Sequence, residues 1–115
     1  MSDWKTQSCQ SVHEVSVLPS AEVAAALAQL PGWNTGSDGK RIVRCWKVKH
    51  FVAGIEFFGR VAELAEAEDH HPDLHLEGYR QVRIESWTHS VDGISVKDLI
   101  LAAKIDALPV ELFAA

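Results

Sequence analysis

The order of periodicities in this chain predicts an α+β fold in which helices cover one face of an antiparallel sheet. Three observations carry that expectation. Three segments repeat apolar residues at helical spacing, and three alternate apolar and polar residues at strand spacing. They follow one another in the order helix, strand, strand, helix, strand, helix, separated by short turns containing Pro, Gly or Asp. A length of 115 residues suits one domain that buries a core without disulfide or metal staples.

Residues 1–18 read as an N-terminal arm ahead of a single domain over 19–115, because Ser8 to Ser20 shows no sustained period. Ser20 is a good helix N-cap, and Val23, Leu27 and Leu30 then follow at i, i+4 and i+7. The first helix is expected over 21–30, stopped by Pro31-Gly32. Trp33 opens a short strand, and Gly36-Ser37-Asp38-Gly39 is a turn. Arg41 to Lys47 forms a second strand, with Ile42, Arg44 and Trp46 on one face and Val43 and Cys45 on the other.

Phe51, Ile55, Phe58, Ala62 and Ala65 mark a long amphipathic helix over 50–67, with Glu56 and Arg60 spaced for an ion pair on its outer side. Pro72 keeps that helix from running on, so His70 and His71 fall at or just past its C-terminal end. Residues 73–78 read as a loop. Tyr79 to Thr88 is the strongest strand, with Val82 and Ile84 opposite Arg83, Glu85 and Trp87. After the Asp92-Gly93 turn, Ser95-Val96-Lys97-Asp98 resembles a capping box, and Val96, Leu99, Ile100 and Ala103 carry a final helix to about Leu108.

The net charge is −5 and no basic run is present, which argues against binding nucleic acid through its phosphates. No apolar stretch approaches the ~20 residues a membrane-spanning helix needs. Met1 to Ser11 has neither the apolar core of a signal peptide nor the Arg-rich character of a transit peptide. The two cysteines, Cys9 and Cys45, form no C-x-x-C pair, and a reducing cytoplasm is the expected location.

Four of the six histidines, His70, His71, His75 and His89, fall within twenty residues, among Glu66, Glu68, Asp69 and Asp73. Glu66 lies one helical turn before His70, so its carboxylate can reach the same face and orient that ring. An oriented imidazole suits proton transfer near neutral pH. His89 ends a strand that an antiparallel return can bring opposite the histidine pair. Three readings stay open: solvent-facing histidines, a zinc site, or general acid–base chemistry without metal. The zinc reading lacks an H-E-x-x-H motif, and adjacent histidines rarely share one metal. The acid–base reading fits the residue types best, and no nucleophile motif competes with it.

Glu66, three residues, His70-His71-Pro72, six residues, Tyr79, nine residues, His89, eight residues and Asp98 together resemble the signature of the pterin-4a-carbinolamine dehydratase family. Pro31-Gly32-Trp33 resembles the family's Gly-Trp after its first helix, and the similarity runs from about Ser20 to Asp106. The resemblance implies a four-stranded antiparallel sheet with three helices on one face, assembling as a homodimer or a dimer of dimers. It implies dehydration of 4a-hydroxytetrahydrobiopterin, with the pterin as substrate and no cofactor or metal. By position, His70 and His89 would be the acid–base pair, with Glu66 completing the catalytic set as the carboxylate that orients His71. His71, Pro72, Trp33, Lys97 and Asp98 would contact substrate. A Trp after Pro-Gly is as often core as ligand wall.

Three features depart from the family pattern: a 73–78 loop one residue longer than in the animal enzymes, Lys97 where many members carry Arg, and His50 at a helix start where Asp is frequent. The stretches Arg44 to Val48, His71 to Leu76, Trp87 to His89 and Ile100 to Asp106 are similar to a pterin-dehydratase-like subgroup. That subgroup includes Rubisco assembly factors of plastids and carboxysomes. It implies a second function, binding the Rubisco large subunit without catalysis in a carboxysome-associated setting.

Overall fold

The computed structural model describes residues 3–114. Its elements in chain order are α1 (Ser20–Leu27), β1 (Asn34–Thr35), β2 (Ile42–Lys47), α2 (Phe51–Glu68), β3 (Asp73–Glu77), β4 (Gln81–Ser86) and α3 (Val96–Asp106), with short 3-10 turns at Trp4–Thr6, Cys9–Ser11 and His89–Val91. The four strands form one antiparallel sheet in the order β1-β2-β4-β3. The α+β architecture with three helices and a four-stranded antiparallel sheet is therefore present.

Helix α1 starts one residue earlier than the Ser20 cap predicts. The Pro19 carbonyl accepts from the N–H groups of Glu22 and Val23, and the helix ends at Leu27, where i to i+3 bonds tighten the chain through Leu30. Helix α2 is capped by His50, whose Nδ1 accepts from the Ala53 N–H at 3.0 Å. Helix α3 begins in a true capping box: Ser95 and Asp98 each accept from the other's end of the turn.

The expected loop at 73–78 is corrected to strand β3, paired residue by residue with β4 from Asp73↔Glu85 to Glu77↔Gln81. Leu74 and Leu76 alternate with polar neighbours, but Asp, His, Leu and Glu are poor or neutral strand formers, so pairing to β4 is what extends them. Tyr79 consequently sits in the connecting turn with φ 54° beside Gly78 at φ 52°, and not in the strand.

The apolar stripe expected to bury α2 is also corrected. Ala53, Gly54, Phe57, Val61 and Ala65 face the core, whereas Phe51, Val52 and Ile55 remain about half exposed at 50%, 57% and 49%. Gly54 lets α2 approach β3 closely on the buried face: a Cβ there would lie 3.1 Å from the Leu76 side chain, a tight contact that would push it aside by a few tenths of an ångström. The Glu56–Arg60 ion pair does not form, because the Arg60 guanidinium donates to the Pro109 carbonyl at 3.2 Å. Ile42, Trp46, Val82 and Ile84 of the sheet complete the core with Leu99, Ile100, Leu101 and Ile105 of α3.

The N-terminal arm also enters the core. Trp4 and Cys9 are buried there, packing their turns against α3. No helix among the described residues is long and apolar enough to cross a membrane.

Candidate active site

The site is assembled where α2 ends and α3 begins. Asp69 closes α2 in the left-handed region (φ 51°, ψ 42°); its N–H donates to the Ala65 and Glu66 carbonyls, and the His70 N–H donates to Ala65 at 3.2 Å. This is a Schellman closure, a motif usually built on glycine. It turns the chain so that His70 is buried while His71, one residue on, is exposed.

His70 Nε2 lies 2.7 Å from Asp98 Oδ1. Asp98 has no solvent exposure, and its carboxylate accepts three further bonds: the Ser86 hydroxyl at 2.6 Å, the Thr88 hydroxyl at 2.8 Å and the Ser95 N–H at 2.9 Å. A carboxylate can only accept, so His70 donates through Nε2 and keeps Nδ1 as the ring nitrogen with no protein partner among the described residues. The partner that sequence spacing offered to His70 goes elsewhere. Glu66 Oε2 meets His71 Nε2 at 2.5 Å on the exposed surface.

His89 opens the 3-10 turn after β4, held by paired backbone bonds between Thr88 and Gly93. Its imidazole stacks on the indole of Trp87, with ring centres 4.1 Å apart and planes 27° from parallel. A cavity of about 250 Å³ opens between these groups, lined by Asp69, His70, His71, Thr88, His89, Ser90 and Lys97. That is just below the ~300–1,000 Å³ range of small-molecule pockets.

Four of the expected site residues thus share one cavity: His70, His71, His89 and Lys97. Glu66 stands behind His71, and Asp98 stands behind His70 without reaching the cavity. Pro72 is half-buried beside His71 and is not among the lining residues. Trp33 lies apart, buried in the core edge-on to Trp46, its indole N–H donating to both Asp106 oxygens at 2.9 and 3.1 Å. Burial pushes the Asp106 carboxyl up from its ordinary value, against the bonds from Trp33 and Arg44 that favour its charge. Trp33 instead lines a larger groove of about 830 Å³ with Leu18, Val23, Leu27 and Ile94, which contains no histidine.

Sequence reasoning passed over Asp69, Thr88 and Ser90 as cavity residues, Ser86 as an Asp98 partner, and Trp87 as the plate under His89. The capping-box spacing marked Ser95 and Asp98 for helix initiation, and the family resemblance put Asp98 against substrate; neither pointed to its bond with His70. His75 points to Glu85 at 3.6 Å and joins no cavity residue. Among the described residues no group of three or more His, Cys, Asp or Glu side chains is arranged to hold a metal ion.

Comparison with known proteins identifies the family. A family model described as pterin 4 alpha carbinolamine dehydratase matches residues 16–108. The mitochondrial pterin-4-alpha-carbinolamine dehydratase 2 of Arabidopsis thaliana is 42% identical over 96% of this chain, which spans 62% of that relative's length. A crystal structure from Brucella melitensis, described as a transcriptional coactivator/pterin dehydratase, superposes with a TM-score of 0.74 at 33% identity, covering 79% of this chain and 96% of its own. The chain therefore belongs to the pterin 4 alpha carbinolamine dehydratase family.

Proposed function

We propose that this protein dehydrates a pterin 4a-carbinolamine, 4a-hydroxytetrahydrobiopterin or a close analogue, by histidine acid–base catalysis. The observation that carries the reading is the pair of imidazoles, His70 and His89, lining one small cavity from two different elements. The reaction breaks the C4a–O bond, and the departing hydroxyl takes a proton to leave as water. N5 loses its proton, and the electron pair of that N–H bond becomes the C4a=N5 double bond of the quinonoid dihydropterin. One imidazole supplies the first proton and the other accepts the second, so the pair ends with its protonation exchanged and bulk water resets it. The pair of the C4a–O bond leaves with the oxygen and the N5–H pair replaces it at C4a, so the elimination needs no outside oxidant or reductant to balance.

Within this reading, His70 works through Nδ1 while Asp98 holds Nε2–H, and His89 is held by its stack on Trp87. His71, braced by Glu66, and Lys97 bind the pterin's polar edge. Purified protein should accelerate carbinolamine dehydration, and His70→Ala or His89→Ala should each cut kcat by ~100-fold. Wild-type protein with no acceleration over buffer sinks the proposal.

The half-exposed stripe of Phe51, Val52 and Ile55 supports a protein contact as well. We infer that a second copy of the chain covers it, because a helix stripe that is apolar and uncharged at these positions is complementary to itself. The assembly-factor alternative, capture of the Rubisco large subunit on the same face, is tested by a pull-down with wild-type and Ile55→Glu protein.

A further inference from the structure

We propose that the N-terminal segment Trp4 to Val12 is a positioning strap for the histidine site, tying the C-terminal end of α2 to the N-terminal turn of α3. The proposal rests on the dehydratase reading insofar as the group being positioned is its acid–base histidine. The segment precedes residues 16–108, the part matched by the family model.

Two adjacent residues make the connection. The Cys9 N–H donates to Glu68 Oε1 at 2.9 Å in a buried setting, and the other Glu68 oxygen accepts from Lys104 Nζ of α3 at 2.8 Å. Gln10 Nε2 donates to the Ala67 carbonyl at 2.5 Å. Ala67 lies in the last turn of α2, where carbonyls lack intrahelical donors, so the strap satisfies one of them. The Cys9 thiol donates to the Lys97 carbonyl at 3.4 Å, reaching the first turn of α3. Cys9 has no solvent exposure, and Trp4, buried in the core, anchors the start of the segment.

These contacts bracket the site. Glu68 lies two residues before His70, and Lys97 lines the cavity and immediately precedes Asp98. The His70–Asp98 bond therefore spans the same two segments that Cys9 bridges. That bond is short, and a relative slip of α2 and α3 by about 1 Å would break it. Burial, with the Glu68 charge beside it, pushes the Cys9 thiol up to about 12, so it serves as a hydrogen-bond donor and not as a nucleophile.

The test compares wild-type protein with a chain lacking residues 1–12 and with Glu68→Gln, which keeps its volume but loses the ion pair with Lys104. Two quantities are measured: proton exchange at the His70 ring N–H, assigned by its loss in His70→Ala, and kcat and KM for the pterin carbinolamine. Both folded variants should exchange that proton at least about tenfold faster and lose about tenfold to a hundredfold in kcat, with KM changed by less than about twofold. A folded variant with wild-type exchange and wild-type kcat overturns the strap. So does a kcat loss that only tracks the unfolded fraction seen by circular dichroism. Should the truncated chain fail to fold, Glu68→Gln carries the test alone. Should wild-type protein lack dehydratase activity, that reading falls, while the exchange measurement still decides whether the strap holds His70.

Discussion

His70 and Asp98, 28 residues apart, are joined by a 2.7 Å bond between Nε2 and Oδ1, and Asp98 is itself held by Ser86, Thr88 and Ser95. A buried acceptor supplied by four donors is fixed in place, and through it so is the imidazole. The pairing leaves Nδ1 as the ring nitrogen of His70 without a partner among the described residues.

Replacing that acceptor tests the arrangement directly. Asp98→Asn puts an amide N–H where one of the donors needs a lone pair. It should lower kcat at least about tenfold with little change in KM and reduce stability by about 1–3 kcal/mol. Steady-state kinetics and urea unfolding measure both, and an unchanged kcat would show that His70 acts without Asp98.

Glu66 should behave differently, since its bond to His71 is on the exposed surface. Glu66→Gln should cost less than about 1 kcal/mol of stability, because solvent screens the pair. If His71 binds the pterin, the variant raises KM with kcat largely retained. A large fall in kcat at constant KM would instead place Glu66 in the proton transfer.

The exposed stripe on α2 has a solution test. Ile55→Glu puts a charge into the proposed contact between copies, so light scattering should give a smaller species than wild type, with the cavity geometry untouched. A wild-type protein that is monomeric at all concentrations rules the contact out.

Acid should destabilise the fold through two carboxyls. Burial works to raise the Glu68 carboxyl, but the bonds from Lys104 and the Cys9 amide outweigh it and hold the group below its ordinary value. Bonds from Arg83, then Arg41, do the same for Glu85. A carboxyl lowered in the folded state contributes stability in full above its unfolded value of about 4.3 and loses it as pH falls through the folded value. Melting temperature should therefore drop steeply below about pH 4.3, and Glu68→Gln should flatten that dependence. An identical acid profile in the variant would contradict the assignment.

Asp69 occupies a backbone conformation that L side chains adopt at a cost of about 1–2 kcal/mol. Asp69→Gly should raise stability by up to about 1 kcal/mol in urea unfolding, since glycine enters that region freely even though it adds freedom to the unfolded chain. Loss of stability would mean that the Asp69 side chain contributes more than its backbone strain costs.

Local spacing in the sequence determined the three helices, the hairpin turn before β2, the inward alternation of Val82 and Ile84, and the grouping of Glu66, His70, His71 and His89, because each signal depends on residues within a few positions of one another. Tertiary structure decided the rest. Helical geometry offers Glu66 to His70, but the left-handed turn at Asp69 breaks that geometry and hands Glu66 to His71. Helix α2 carries apolar residues on two faces, and only its packing against the sheet selects Phe57 and Val61 for the core over Phe51 and Ile55. Leu74 and Leu76 became a strand because β4 was there to pair with them. Trp4, Cys9 and the His70–Asp98 pair took their roles from contacts between residues 28 or more positions apart, and no periodicity along the chain records a contact of that kind.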